Sequence, residues 1–272
     1  MYEAAEPQGR SGLSGDGAWA ALTAELDRWA SAGRTATFWW RDDDAGEWTA
    51  PLDRLLSLRD AVDIDVALAT VPTRLDDAFR ARMAESSNVA VLQHGYSHHN
   101  FATEDERKIE LDGSRPAEYV IADLAVGMQA LAKVSGFVPV LVPPWNRIAP
   151  HLVPLLPELG YRGLSGLGPR QRPNALAGLR QNNVHIDPID WRGRHGPRQQ
   201  FIGTERAVTE AVEHLAARRS GTADGEEATG LMTHHLVQDD DTWRFIERFI
   251  AHTKAHPVAK WLAANDVFEV AE

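Results

Sequence analysis

The sequence predicts an α/β fold built on a parallel sheet, and two observations carry that expectation. Apolar, β-rich runs alternate with helical patterns along nearly the whole chain, which makes about seven βα units. The conspicuous polar clusters all follow a strand and precede a helix. In a parallel barrel those positions share one rim, where barrel active sites sit. A length of 272 residues suits one α/β barrel without division into smaller domains.

The elements follow in order. Residues 1–15 read as a flexible lead-in and 16–272 as a single barrel domain. Residues 18–32 have helical periodicity, and 36–41 (ATFWWR) read as a strand. Pro51 opens a helix, with Leu52, Leu55, Leu56 and Leu58 at helical spacing and proline in the tolerated first turn. Residues 65–70 read as a buried strand, 76–85 as a helix and 88–93 as the next strand. A polar excursion over 100–115 is long for a βα loop. A helix over 116–134 puts Ile121, Leu124, Ala125, Met128 and Leu131 on one face, and 138–142 (VPVLV) is a strand. A helix is expected over 148–159, ended by Gly160. A short strand over 161–165 leads into an irregular loop over 166–182. Strands over 183–189 and 230–234, helices over 204–219 and 242–255, and a last helical turn with a strand over 259–270 complete the pattern.

Composition excludes several function classes. With 43% hydrophobic and 25% charged residues the chain is globular in type. A net charge of −11 argues against nonspecific nucleic-acid binding and against docking on an anionic membrane. The absence of cysteine removes disulfides, zinc ribbons and thiol nucleophiles, so any metal must be held by His, Asp and Glu. No run approaches the ~20 apolar residues of a membrane span. The N-terminus lacks a basic region followed by an apolar one, so a cytoplasmic protein is expected.

Two strand ends carry the chemistry. Phe38-Trp39-Trp40-Arg41 leads into Asp42-Asp43-Asp44, three carboxylates that repel one another unless a cation offsets them. Side chains alternate along a strand, so only one or two of the three can point inward. A second run, Val89 to Gln93, leads into His94-Gly95-Tyr96-Ser97-His98-His99. The His-x-x-x-His spacing puts both imidazoles on one side of a helical turn, as in other zinc hydrolases. Leu231-Met232-Thr233-His234-His235 is a further strand ending in histidine, where one of the pair suits general-acid work. Pro143-Pro144-Trp145-Asn146-Arg147 offers a stiff exit with a flat apolar wall, and Asp187-Pro188-Ile189-Asp190-Trp191-Arg192 repeats the aromatic theme.

Taken in this order over residues 36–236, these pieces resemble the polysaccharide deacetylase family (carbohydrate esterase family 4, the NodB-homology fold). The resemblance implies a distorted (β/α)7 TIM-like barrel and metal-dependent hydrolysis of N- or O-linked acetyl groups on a carbohydrate. It implies Asp43 as general base, and Asp44, His94 and His98 as ligands of one divalent ion, with zinc the default. It implies His234 as general acid, and Pro144, Trp145, Asn146, Asp190 and Trp191 against the substrate. Asp42 stands where the family has an aromatic, so the pair could instead be Asp42 and Asp43. Val142 stands where the family has an arginine that orients the base, a place Arg41 or Arg147 could fill. His235 competes with His234 for the acid.

The partner expected is an acylated saccharide or a small acylated metabolite. Two other functions fit: an amidase cleaving a non-peptide C–N bond of a cytoplasmic metabolite, and a catalytically silent carbohydrate-binding barrel. Two His and one carboxylate also describe non-haem iron oxygenases, but those go with a β-sandwich pattern that this chain lacks.

Overall fold

The computed structural model describes residues 15–193 and 199–270. Helix α1 (Gly15–Ser31) precedes strand β1 (Ala36–Ala45). Then come α2 (Ala50–Val62), β2 (Val66–Thr70), α3 (Asp77–Glu85), β3 (Val89–His94), α4 (Ala117–Leu131), β4 (Phe137–Val142) and β5 (Gly163–Leu164). The second half holds a hairpin of β6 (Asn174–Leu176) and β7 (Leu179–Gln181), and a small ladder of β8 (Ile189–Asp190) and β9 (Gln200–Phe201). It ends with α5 (Thr204–Ser220), β10 (Thr229–Thr233), α6 (Asp240–Lys254), β11 (Ala259–Trp261) and α7 (Ala264–Phe268). The expected lead-in over 1–15 lies outside the described residues except for Gly15, where α1 begins.

The helix starts follow their caps. Thr49 accepts from Leu52 N at 3.2 Å, Asp76 from Phe79 N at 2.6 Å, and Asp239 from Thr242 N at 2.8 Å. Each cap satisfies an N–H that the first turn leaves without a partner.

The main sheet runs β10-β1-β2-β3-β4-β5-β7-β6, with β11 added along the start of β1. All pairings are parallel except β6 with β7. Between β5 and β10 the ladder gives way to isolated bridges, Leu167 to Val184 and Ile186 to Leu231. Backbone bonds from His185 N and Ile186 N to Gly230 O, at 2.8 and 3.0 Å, span this side. The fold is therefore a (β/α) barrel distorted at its last wall.

Two parts of the expected pattern are corrected here. The strand expected over 183–189 shrinks to those bridges and the two-residue β8. Gly230 N donates to the His185 ring at 3.0 Å rather than to a neighbouring strand, and Pro188 has no N–H to offer. The helix expected over 148–159 is instead two short 3-10 turns, Val153–Leu155 and Pro157–Leu159. Pro150, Pro154 and Pro157 interrupt the i to i−4 ladder that an α-helix requires. The loop over 166–182 also contains the β6–β7 hairpin, and the tail is a strand followed by a helix.

Strand alternation sorts the core. Phe38 and Trp40 pack outward with α1, α2 and α6 residues such as Leu22, Leu55 and Phe249. Trp39 packs inward with Ala67, Leu92, Val140, Met232 and Phe268. Its ring lies over Gly230, where a Cβ would come within 2.5 Å of the indole nitrogen. Phe268 meets Trp39 edge-on at 5.5 Å, so α7 seals the end of the barrel away from the aspartates. Among the described residues no helix is long and apolar enough to cross a membrane.

Candidate active site

β1 runs through the aspartate triplet instead of stopping before it, and alternation then separates the three carboxylates. Arg41 and Asp43 share the face of Trp39, while Asp42 shares that of Trp40. Between Asp42 and Ala45 the register against β2 shifts by a bulge, and Asp44 takes a left-handed backbone with φ of 74°. The bulge turns Asp44 away from its neighbours, so each of the three has a separate environment.

Asp42 is fully buried and engaged. Thr233 Oγ1 donates to it at 2.6 Å and His235 N at 3.1 Å, and His235 Nδ1 bonds its other oxygen. Trp40 Nε1 donates to Thr233 Oγ1 at 2.9 Å. Burial pushes the His235 imidazole down, but the Asp42 charge and hydrogen bond outweigh it and hold the ring above its usual range.

Asp44 meets the two histidines. Its Oδ1 lies 3.7 Å from His94 Nε2 and 3.3 Å from His98 Nε2, and one ligand atom from each residue falls within 4.8 Å of the others. That Oδ1 is buried without a hydrogen-bond partner, with Arg74 Nη1 3.8 Å away. A buried carboxylate oxygen is costly in that state unless a cation comes to it. His94 Nδ1 lies 2.9 Å from Val142 O. A carbonyl only accepts, so Nδ1 carries the proton and Nε2 offers its lone pair. Burial, then the neighbouring His94, lowers His98 to about 4, which keeps it neutral and able to ligate at neutral pH. The donor set of one carboxylate oxygen and two imidazole nitrogens fits a divalent first-row ion.

The His-x-x-x-His segment is not the helical turn its spacing suggested. Residues 95–98 form a tight non-helical turn, with φ of 57° at Gly95 and 56° at His98. Glu110, buried in the long excursion over 100–115, holds this turn. Its carboxylate accepts from Ser97 N at 2.7 Å, Ser97 Oγ at 3.0 Å and Tyr96 N at 3.2 Å. A Cβ at Gly95 would strike Glu110 Oε2 and the Pro144 ring, so only glycine fits under this clamp.

Asp43 is buried beside a cation. Arg41, itself fully buried, donates from Nε to Oδ1 at 2.7 Å and from Nη2 to Oδ2 at 2.9 Å. Burial alone would raise the Asp43 carboxyl. The Arg41 charge overcomes that and holds it below the usual range. Arg41 is anchored in turn by Ser165 Oγ and Asn146 Oδ1, each at 2.7 Å. Val142 contributes only its carbonyl to the site, and Arg147 reaches out to Lys108 O at 2.7 Å. Arg41 is therefore the cation beside the buried Asp43.

His234 Nε2 faces Asp43 Oδ2 at 3.9 Å. The Trp191 ring meets the His234 ring edge-on at 4.6 Å, and Trp191 Nε1 donates to Asp187 Oδ2 at 2.7 Å. Burial raises the Asp187 carboxyl despite the opposing His234 charge. On the side of the two histidines, Trp145 lies 4.3 Å from the His98 ring, with φ of 54°. Pro144 packs against the Gly95 turn. Asn146 is turned onto Arg41, and Asp190 sits in the β8–β9 ladder with Oδ1 on Arg192 N at 3.2 Å.

The structure thus gathers Asp43, Asp44, His94, His98 and His234 at one end of the barrel, with Trp145 and Trp191 at its edges. Sequence reasoning left out Glu110, Ser165 and Asp187. Asp187 stood in a quoted motif, and its spacing from Trp191 was the available signal. Glu110 and Ser165 act across the fold and gave no local one.

A second cluster, His185, His214 and Glu227, also gathers three potential ligands. The His185 ring turns a proton and not a lone pair towards it. Gly230 N donates to His185 Nδ1 at 3.0 Å, which leaves the ring proton on Nε2. Thr229 Oγ1 accepts from Arg218 and lies 3.0 Å from His214 Nδ1, free to donate there. Both Nε2 atoms face Glu227 Oε2, at 3.5 and 3.7 Å, and neither makes a hydrogen bond.

No protein-family model matches this chain, and no curated protein matches it. Solved structures do. A peptidoglycan deacetylase from Bacillus subtilis, in mutant form, is similar with a TM-score of 0.53 at 13% identity, covering 87% of this chain and 91% of that one. A mutant carbohydrate esterase family 4 pseudoenzyme with restored enzymatic activity has a TM-score of 0.53 at 14% identity, covering 86% of this chain and 68% of that one. The carbohydrate esterase family 4 domain of a multidomain xylanase from the hindgut metagenome of Trinervitermes trinervoides has a TM-score of 0.50 at 11% identity, covering 87% and 90%. The chain has the polysaccharide deacetylase fold.

Proposed function

We propose that this protein is a metal-dependent hydrolase that removes an acyl group, acetyl first among them, from an N- or O-acylated saccharide. One observation carries the proposal: a three-residue ligand set on Asp44, His94 and His98 adjoins a buried carboxylate, Asp43, that faces a histidine, His234, at 3.9 Å. The fold supports a carbohydrate substrate, since its neighbours include a peptidoglycan deacetylase and a xylanase-linked esterase domain. Fold alone does not decide activity, as the pseudoenzyme among those neighbours illustrates. The arrangement of the site supports it.

Asp44, His94 and His98 would hold the ion. A divalent ion there polarises an acyl carbonyl and acidifies a water. Asp43, kept ionised by Arg41, takes the proton of the attacking water. The Arg41 fork also fixes the carboxylate plane, so the free lone pairs point in one direction. His234, across from Asp43, donates a proton to the departing amine or alkoxide. Trp191 packs on the His234 ring and Trp145 on the His98 ring, and each leaves an apolar face for a sugar. Arg41 argues against a silent barrel, because it gives Asp43 the cation that Val142 cannot.

The test is acetate release from a panel of acetylated glycans, before and after chelation, with metal added back. Release that stops on chelation and returns with metal supports the proposal. A metal-loaded protein that frees acetate from no member of the panel counts against it.

A further inference from the structure

The rim beside this site has a charge opposite to that of the protein. Against a net charge of −11, Arg147 joins Lys108 across two loops, and the charges of Arg107 and Arg192 act on Arg147 from the 100–115 excursion and from the turn after Trp191. Arg147 donates to Lys108 O at 2.7 Å, which joins the turn after β4 to the 100–115 excursion. Lys108 Nζ lies 6.0 Å from the centre of the Trp145 ring, over its face. Arg192 directly follows Trp191. None of these four side chains pairs with a carboxylate among the described residues, whereas many arginines elsewhere do.

The acidic residues of the same excursion do not cancel the patch. Glu106 turns back to accept from Thr103 N and Oγ1 at 3.2 and 3.0 Å. Glu104 and Asp105 stand exposed in the same turn. Burial, and after it the charges of Arg107 and Arg192, push Arg147 below its ordinary range, and no carboxylate opposes them. Holding like charges together costs free energy that a bound anion recovers.

We infer that this rim receives the carboxylate or phosphate of an anionic acylated saccharide, with the sugar face against Trp145 and Trp191. The inference rests on the deacylase reading and narrows its substrate class. The two tryptophans adjoin the ligand His98 and the acid His234, so a sugar lying on them presents its acyl group to the site. Its far edge then meets the cations. Arginine suits both anions, because its planar fork matches either in bidentate fashion.

The test uses the full chain and three probes: N-acetylglucosamine, N-acetylglucosamine 6-phosphate and N-acetylmuramic acid. Calorimetry compares their binding at low and high salt, with the wild type, Arg147→Gln and the exposed Arg192→Gln. The expected result is about tenfold tighter binding of a charged sugar than of the neutral one. The phosphate and carboxylate probes show which anion is preferred. The advantage falls as salt rises and is reduced in both variants. Equal binding of the three probes, or a preference untouched by both substitutions, overturns the inference. Acetate release is measured separately. Charged-sugar binding without release leaves the rim assignment standing and sinks the deacylase reading; release without charge preference does the reverse.

Discussion

Arg41 holds Asp43 through two parallel hydrogen bonds, 2.7 Å to one carboxylate oxygen and 2.9 Å to the other, inside the barrel. The two residues are neighbours on one face of the same strand, so the pair is preformed by the pleat. The arrangement keeps a buried carboxylate charged, which a general base requires.

Arg41→Gln is expected to raise the Asp43 carboxyl, because burial then acts without its main counterweight. The acid limb of the kcat/KM profile moves to higher pH. Arg41→Lys keeps the charge and loses the fork, so kcat falls while the limb shifts less. An unchanged pH profile in Arg41→Gln would show that Asp43 is not the titrating base.

Asp42→Asn tests which carboxylates face the metal. Asp42 is bound by Thr233 and His235, so the variant keeps its ion and loses stability instead. Breaking such a buried pair costs about 3 kcal/mol. The His235 ring is held above its usual range, so its contribution to stability is complete below the unfolded value and is lost as pH rises through the folded one. The loss on substitution is therefore larger near pH 6 than near pH 9, as read by denaturant unfolding at both. Loss of metal without loss of stability would move the ligand register to Asp42.

Much of this was legible in the chain, and the exceptions have physical causes. Alternating strand and helix patterns and the order of the motifs located the site end. The division of Asp42, Asp43 and Asp44 was not legible, because a bulge and one left-handed residue break strict alternation at Asp44. The His94 to His98 turn is shaped by Glu110 from a distant loop, which no local spacing reveals. Pro150, Pro154 and Pro157 were present in the expected helix over 148–159 and should have cancelled it. The wall over 183–189 failed as a strand because His185 takes a backbone donor with its side chain.

Glu110→Gln is expected to weaken metal binding about tenfold, the lower end for an outer support of a ligand. The amide puts N–H groups where Tyr96 and Ser97 N–H require an acceptor, so the turn carrying His98 loosens. A competition titration with a chromophoric chelator reads the affinity, and the far-UV spectrum checks the fold. Unchanged affinity would mean that the turn holds its shape without Glu110.

The central claim is that Asp43 does chemistry beside an ion that Asp44, His94 and His98 hold. Asp43→Asn separates the two roles in one protein. Metal content per chain and acetate release are measured together on the wild type and the variant. The account predicts an undiminished ion and a rate lower by about 10²–10⁴-fold, the usual worth of a general base. A variant that keeps its metal and releases acetate at the wild-type rate would contradict it.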